Sequence, residues 1–582
     1  MRILIGLLIA MSGAVSQSST PSEADEILTQ LSKIRLDKKQ IYNIHDITLR
    51  RDVVSIALNR GAIAFLEPVM GKVTGAVFIG NGEVVAIPPD SLEKQQIYKF
   101  TGSPVLTETF QTAILRFTDG TYDEIRKEIS QHSQEDVTGD DEAQFNVWDQ
   151  ALAGRAKLLN LRLLGDFLEP VIRPLFLAEL KGDKTGWFSV GFDTRAVEEV
   201  SAFQIHDNGS TSVADVWASF NQRSEARNPE AVAHENKSPV DIVSYDIDGT
   251  SGPDNRIDAK ATMRLKGRID GARLLNFALS PSLHVASVLS DIDEPIPFYQ
   301  YPEGNVVTMV LPRPLKSGQE FTLGISYAGD VNQHEPWYPG QNSQNIPVFK
   351  SAFAPPAGAP GPIFAYLGQK VAPASYHDQW LFEALPRYLE AMQTEKVPKA
   401  LQDARDELKP VEKAGAIWLG QRLGSTVTPG GYRAVVDKGL WVIHMLRTML
   451  DTKFEAMLGD FANTYNGKAA STWDFKHIAE KYTDKKLDWF FDEWVFGTGV
   501  PAYSLDYKIE SSGSGFIVGG TVRQSGVPDG FTMPVPIYAD DEFLGRIQVG
   551  DGEGDFRFRV TKKPERILID PSNEVLAYPN AG

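Results

Sequence analysis

The residues able to do chemistry are few and poorly clustered. The chain has nine histidines and no cysteine. Disulfides, thiolate metal ligands, a cysteine nucleophile and a lipoprotein attachment site are therefore all excluded. A metal-gripping helix places two histidines one turn apart. Neither His377 nor His444 has a histidine or carboxylate four residues away, and no histidine occurs between His334 and His377. Both read as structural histidines. Asp246-Ile-Asp248-Gly249, with Asp254 and Asp258, has the opening of a calcium loop but not the third spaced carboxylate or the closing glutamate; it reads as a strand turn with solvated acids. Gly80-Asn81-Gly82 lacks the Gly-x-x-x-x-Gly-Lys-Ser/Thr pattern of a phosphate loop and reads as a turn. Trp489, Phe490, Phe491, Trp494 and Phe496 could form a ligand platform, but their helical spacing favours a core.

These residues need elements to hold them. At 582 residues, with 42% hydrophobic, 10% aromatic and 23% charged composition, the chain is long enough for several folded domains. A net charge of -18 disfavours nucleic acid and anionic membranes as partners. Arg2, the apolar run Ile3 to Met11 and the small residues Ser12 to Ser16 have the layout of a secretory signal peptide cleaved after Ser16. Residues 17–235 read as β-rich and of unassigned role. Within them, Val53 to Leu58, Ala62 to Leu66, Val73 to Ile79 and Val84 to Ile87 are strand-like runs, and Asn81-Gly82 has the form of a hairpin turn. Trp148 to Leu180 mixes helical spacing with Pro170 and Pro174.

Residues 236–345 read as an antiparallel β-sandwich, from the alternation in Phe321-x-Leu323-x-Ile325-x-Tyr327. Six of the ten residues from Phe353 to Pro362 are proline or glycine, so that stretch cannot be a helix interior. Residues 346–500 read as a helical domain, with the helical pattern itself running from 374 to 500. Phe475, Ile478, Ala479 and Tyr482 fall on one face, behind a capping box at Ser471 and Asp474. Residues 501–582 return to period two at Tyr503-x-Leu505-x-Tyr507-x-Ile509 and read as a second, C-terminal β-sandwich.

Three blocks in order resemble the M1 zinc aminopeptidases (gluzincins). The sandwich ends in Leu311-Pro-Arg-Pro-Leu315 and the run Gly318 to Asp330, like that family's N-terminal domain. Ser375-Tyr-His-Asp-Gln-Trp-Leu-Phe-Glu383-Ala-Leu-Pro-Arg-Tyr-Leu-Glu390 resembles its Asp-x-Trp-Leu-x-Glu helix. Asp437 to Arg447 and Leu487 to Pro501 resemble signatures of its helical region. The resemblance covers somewhat over half the chain. It implies a multidomain α+β architecture: a β-rich N-terminal module, an M1-type sandwich, a reduced α-helical gluzincin-like domain and the C-terminal sandwich.

The resemblance also implies a zinc site, and the sequence departs from it. In the family, a His-Glu-x-x-His helix supplies two ligands and the general base, and a glutamate on the next helix is the third ligand. The match assigns that third role to Glu383. The family spacing then puts the histidines at 360 and 364, where this chain reads Pro360-Gly361-Pro362-Ile363-Phe364. The tyrosine that stabilises the oxyanion is replaced by Val436, the Gly-x-Met-Glu-Asn loop is missing, and Pro386 stands where alanine is usual. The expectation is an exported pseudopeptidase, periplasmic or secreted, without cofactor, that binds a peptide or envelope protein. The alternative is an active zinc metallopeptidase with ligands that spacing does not reveal. An envelope scaffold or carbohydrate-binding role rests only on the sandwiches and the export signal.

Overall fold

The computed structural model describes residues 22–131, 145–146, 148, 152, 157–207, 212–224, 238–252, 256–279, 282–300, 306–330, 344–345, 371–466 and 468–578. The expected signal peptide, Asp254 and the segment Pro360 to Phe364 lie outside them. The described residues fall into two compact units. One draws on Met1–Pro88, Val105–Gln204 and Ala218–Ala354, the other on Pro89–Pro104, Ile205–Trp217 and Pro355–Gly582. Among the described residues no helix is long and apolar enough to cross a membrane.

The N-terminal region is one eight-stranded sheet with its strands in sequence order: β1 (Leu36–Arg51), β2 (Val54–Leu66), β3 (Gly75–Ala86), β4 (Leu106–Phe117), β5 (Leu175–Gly182), β6 (Gly186–Asp193), β7 (Val200–Asp207) and β8 (Ser212–Phe220). Among the described residues α1 (Glu23–Ser32) precedes the sheet, and α2 (Ser91–Thr101), α3 (Thr121–Gln131) and α4 (Lys157–Leu168) lie between its strands in sequence. α1 starts at a capping box between Ser22 and Asp25, which satisfies two of the amides a helix start leaves unpaired. Its buried Ala24, Ile27 and Leu31 pack with Leu164 and Leu168 of α4 over Ala64, Leu66, Val77 and Ile114 of the sheet. The ambiguous stretch Trp148 to Leu180 thus holds α4 and, past its two prolines, the start of β5.

One expectation is corrected here. Asn81-Gly82 is not a hairpin turn: β3 runs straight through it, and the four apolar runs make only two strands. The ladder slips register between Leu58 and Arg60 on one side and between Ile79 and Gly82 on the other. A side chain on Gly61 would lie 2.2 Å from the Ile79 carbonyl oxygen and 2.6 Å from the Gly80 Cα. The glycines permit a close backbone approach at an irregularity in the ladder, which uses the same residue types as a turn.

The next region is a sandwich of two four-stranded sheets. The first has the order β12-β15-β10-β9 and the second β13-β14-β11-β16, built from β9 (Val240–Ser251), β10 (Arg256–Gly267), β11 (Leu274–Ala278), β12 (Leu283–Ser290), β13 (Phe298–Gln300), β14 (Val306–Val310), β15 (Glu320–Asp330) and β16 (Gln344–Asn345). Burial alternates along the whole of β10. Ala261, Met263, Leu265, Leu323, Ile325 and Tyr327 from one sheet share a core with Phe277, Val307 and Met309 from the other, so the period-two reading holds.

In the second unit, β17 (Val371–Pro373) pairs in parallel with β18 (Lys468–Ala470) beside α5 (Gln379–Gln393), α6 (Val397–Leu408), α7 (Arg433–Leu450), α8 (Phe454–Thr464), α9 (Thr472–Glu480) and α10 (Asp488–Trp494). α5 continues through Pro386. The last strands are β19 (Ala502–Ser512), β20 (Gly515–Ser525), β21 (Thr532–Ala539), β22 (Glu542–Gly550), β23 (Glu553–Val560) and β24 (Ile567–Ile569). They form one sheet in the order β19-β20-β23-β22-β21-β24, nearly closed by a bridge from Ala502 to Tyr578. The expected C-terminal sandwich is therefore corrected to a single curled sheet. Its apolar face, with Val518, Val522, Met533, Val535, Ile537 and Val549, packs into the same core as Trp380, Trp441 and Trp494 of the helices. A helical layer supplies the cover that a second sheet would otherwise provide.

Candidate functional site

The block carrying the family resemblance folds as an anchor. Ser375 and Asp378 form a capping box, with the Ser375 amide and hydroxyl donating to Asp378 Oδ2 at 3.0 and 3.1 Å. Asp378 Oδ1 accepts the amide and the hydroxyl of Thr472 at 2.6 and 2.8 Å, and Trp380 Nε1 donates to the same hydroxyl at 2.9 Å. The start of α5 is thereby tied to the start of α9. Burial pushes the Asp378 carboxyl upward, against the pull of the donors from Thr472 and Ser375.

Glu383 sits five residues into α5 and is half-buried. The hydroxyl of Tyr432 donates to its Oε1 at 3.4 Å. Tyr432 stands at the N-terminus of α7, four residues ahead of the buried Val436 that occupies the expected oxyanion position. The sequence contained this partner without marking it, because only the α5–α7 packing brings position 432 to Glu383.

Both histidines of these blocks are used by the fold. His377 Nδ1 lies 2.8 Å from the Trp418 carbonyl oxygen, and its ring stacks on the Trp418 indole at 3.5 Å. His444 Nε2 lies 3.0 Å from the carbonyl oxygen of Asn573, so that nitrogen carries the proton. Its Nδ1 then accepts the Tyr388 hydroxyl at 2.9 Å. Burial, helped by Arg447, pulls the imidazole pKa below its ordinary value, against the bond to Asn573. The aromatic cluster likewise belongs to the interior: Phe490, Phe491 and Trp494 are wholly buried, with Trp489 and Phe496 packed against them. Of the acids read as solvated, Asp246 and Asp248 lie on β9, where Asp248 faces Lys260 across the ladder, and Asp258 lies on β10, ion-paired with Arg256 at 3.6 Å.

Three further perturbed groups are interior ties. Lys438 donates to the Gly497 carbonyl at 3.0 Å and lies 5.8 Å from the Trp494 ring centroid; burial brings its amine down to about 7. Glu493 Oε1 accepts the Thr532 amide at 2.7 Å, joining α10 to β21, and burial raises its carboxyl to about 7. Asp570 accepts the amides of Glu574 and Val575 at 2.7 and 2.8 Å and is also pushed up by burial to about 7. Buried structural carboxylates shift as catalytic ones do, and each of these already has a structural partner.

A catalytic zinc takes three protein ligands. Among the described residues no group of three histidine or carboxylate side chains is placed to hold a metal. Positions 360, 361 and 364 supply proline, glycine and phenylalanine, none with a donor side chain. One oxygen of Glu383 already accepts the Tyr432 hydroxyl. Among the described residues, and at positions 360, 361 and 364, the residues present do not make the ligand set that the resemblance implies.

No protein-family model matches the chain, and no curated protein matches it. Among solved structures it is similar to the crystal structure of Legionella pneumophila aminopeptidase A in complex with aspartic acid, with a TM-score of 0.42 and 9% sequence identity. The match covers 59% of this chain and 60% of that one, so the chain spans about three fifths of that protein's length. A likeness at that score carries no argument about activity.

Proposed function

We propose that the chain is a non-catalytic relative of the M1 zinc aminopeptidases, exported from the cell, that binds a peptide or an envelope protein. One observation carries the reading. The only ligand position of the resemblance that keeps its residue is Glu383, and its carboxylate is engaged by Tyr432, while the two positions that should supply imidazoles are Pro360 and Phe364. What survives is the scaffold around that position: the Asp378–Thr472 anchor and the core shared by the helices and the C-terminal sheet. Export rests on Arg2 and the apolar run Ile3 to Met11.

The test is zinc content of the purified chain together with cleavage of aminoacyl fluorogenic substrates. The expected result is substoichiometric zinc and no turnover that a chelator abolishes. Stoichiometric zinc with chelator-sensitive turnover overturns the proposal in favour of an active metallopeptidase. Intact mass of the protein recovered from the periplasm or medium tests export, with loss of the first sixteen residues as the expected outcome.

A further inference from the structure

Helix α2 carries two lysines that neither the family resemblance nor the anchor uses. Lys94, Tyr98 and Lys99 of α2 form one wall of a cavity of about 630 Å³, and Gly499, Val527 and Pro528 contribute to the opposite wall. That volume is within the range of small-molecule sites, roughly 300–1,000 Å³. The lining contains two ammonium groups and no carboxylate, in a chain whose net charge is -18. The one acid on α2, Glu93, is turned away into a bidentate pair with Arg422 at 2.7 and 2.8 Å. Asp90, ahead of the helix, is committed to capping it through the Glu93 amide at 2.8 Å. Among the described residues Lys94 makes no ion pair.

We propose that this cavity is a binding site for a small organic anion, with an acidic head held by Lys94 and Lys99 and an apolar body lying against Val527, Pro528 and the Tyr98 ring. The chemistry of the walls sets the class. An ammonium makes charge-assisted hydrogen bonds to a carboxylate or phosphate, and these gain strength where part of the surrounding water is excluded. The rest of the lining adds the polar side chains of Gln95 and Thr498, and its apolar part, with Pro104, Val527 and Pro528, rewards burial of a ring or short chain. Lys99 donates to Gln96 Oε1 at 3.0 Å, and burial with the charge of Arg422 brings its amine down to about 8, which a nearby anion would offset. The site is independent of Glu383 and survives whether or not the chain is a peptidase.

Titration calorimetry on the full chain with 1-naphthaleneacetate, 1-naphthyl phosphate and the neutral 1-naphthaleneacetamide tests it. At least one acid should bind saturably at one per chain, and the amide at least tenfold more weakly; the ratio of the two acids assigns the head group. Lys94→Met with Lys99→Met should lower the acid's affinity at least tenfold and bring it level with the amide. Equal affinity of acids and amide for the unaltered chain overturns the proposal, as does an unchanged affinity in the double variant or no saturable binding of either acid. The comparison of acid with amide needs no variant, so it decides the matter even if the substitutions impair folding.

Discussion

Replacing Glu93 by glutamine isolates the tie between α2 and the helical region. The Arg422 and Glu93 side chains are 1% and 3% exposed and meet through two parallel hydrogen bonds. Arg422 Nη1 also donates to the Tyr376 hydroxyl at 3.4 Å. Glutamine keeps the shape and one acceptor but removes the negative charge, leaving a guanidinium desolvated beside a neutral amide. Breaking a buried pair from one side costs about 3–5 kcal/mol, most of it from the charge left behind. At about 1.4 kcal/mol per factor of ten, opening of α2 should become roughly 10²- to 4 × 10³-fold more frequent. Amide hydrogen exchange along Ser91–Thr101, measured where reclosing outruns exchange, reads this directly. Glu93→Leu combined with Arg422→Met should recover most of the protection, because an apolar pair of similar volume carries no desolvated charge. Exchange within about threefold of the parent in Glu93→Gln, or a double variant no better protected than the single one, would refute the reasoning.

Asp378→Ala strands four donors from Ser375 and Thr472 and should lower stability by at least about 3 kcal/mol, read as lost exchange protection at the starts of α5 and α9. Glu383→Gln should change stability by less than about 1 kcal/mol and leave metal content as it was, since it weakens one half-buried hydrogen bond. Asp570 has a carboxyl raised by burial to about 7 from its ordinary 3.8, so between those values the folded chain binds more protons than the unfolded one. Its contribution to stability falls as pH rises from about 4 to about 7, and exchange protection of Glu574 and Val575 should lose that slope in Asp570→Asn. Lys438 runs the other way: with its amine lowered to about 7 from 10.5, the unfolded chain binds the extra proton between those values and stability rises with pH. Thermal midpoints of Lys438→Met should not show that rise.

Features whose cause is local were legible in the sequence. The capping box at Ser471 and Asp474 needs only a four-residue spacing, and it is formed. Alternation in Phe321 to Tyr327 reports which face of a strand is apolar, and Leu323, Ile325 and Tyr327 are buried accordingly. The absence of imidazole donors at 360 and 364 is a statement about residue types and needs no fold. Where one local signal serves two structures, the sequence was silent. Gly80-Asn81-Gly82 suits a turn or an irregular strand, and only pairing with β2 and β4 selects the strand. Period two across 501–582 marks an apolar face without saying what covers it, and the helices do, in one core with a single curled sheet. Contacts far apart in sequence were decided by tertiary structure alone. Glu93 and Arg422 are 329 residues apart and Glu383 and Tyr432 49 apart, and no periodicity in the chain encodes which surfaces of two helices will meet. That positions 360 and 364 carry proline and phenylalanine is written in the sequence; the Tyr432 hydroxyl on Glu383 and the lysine-lined cavity exist only once the chain packs.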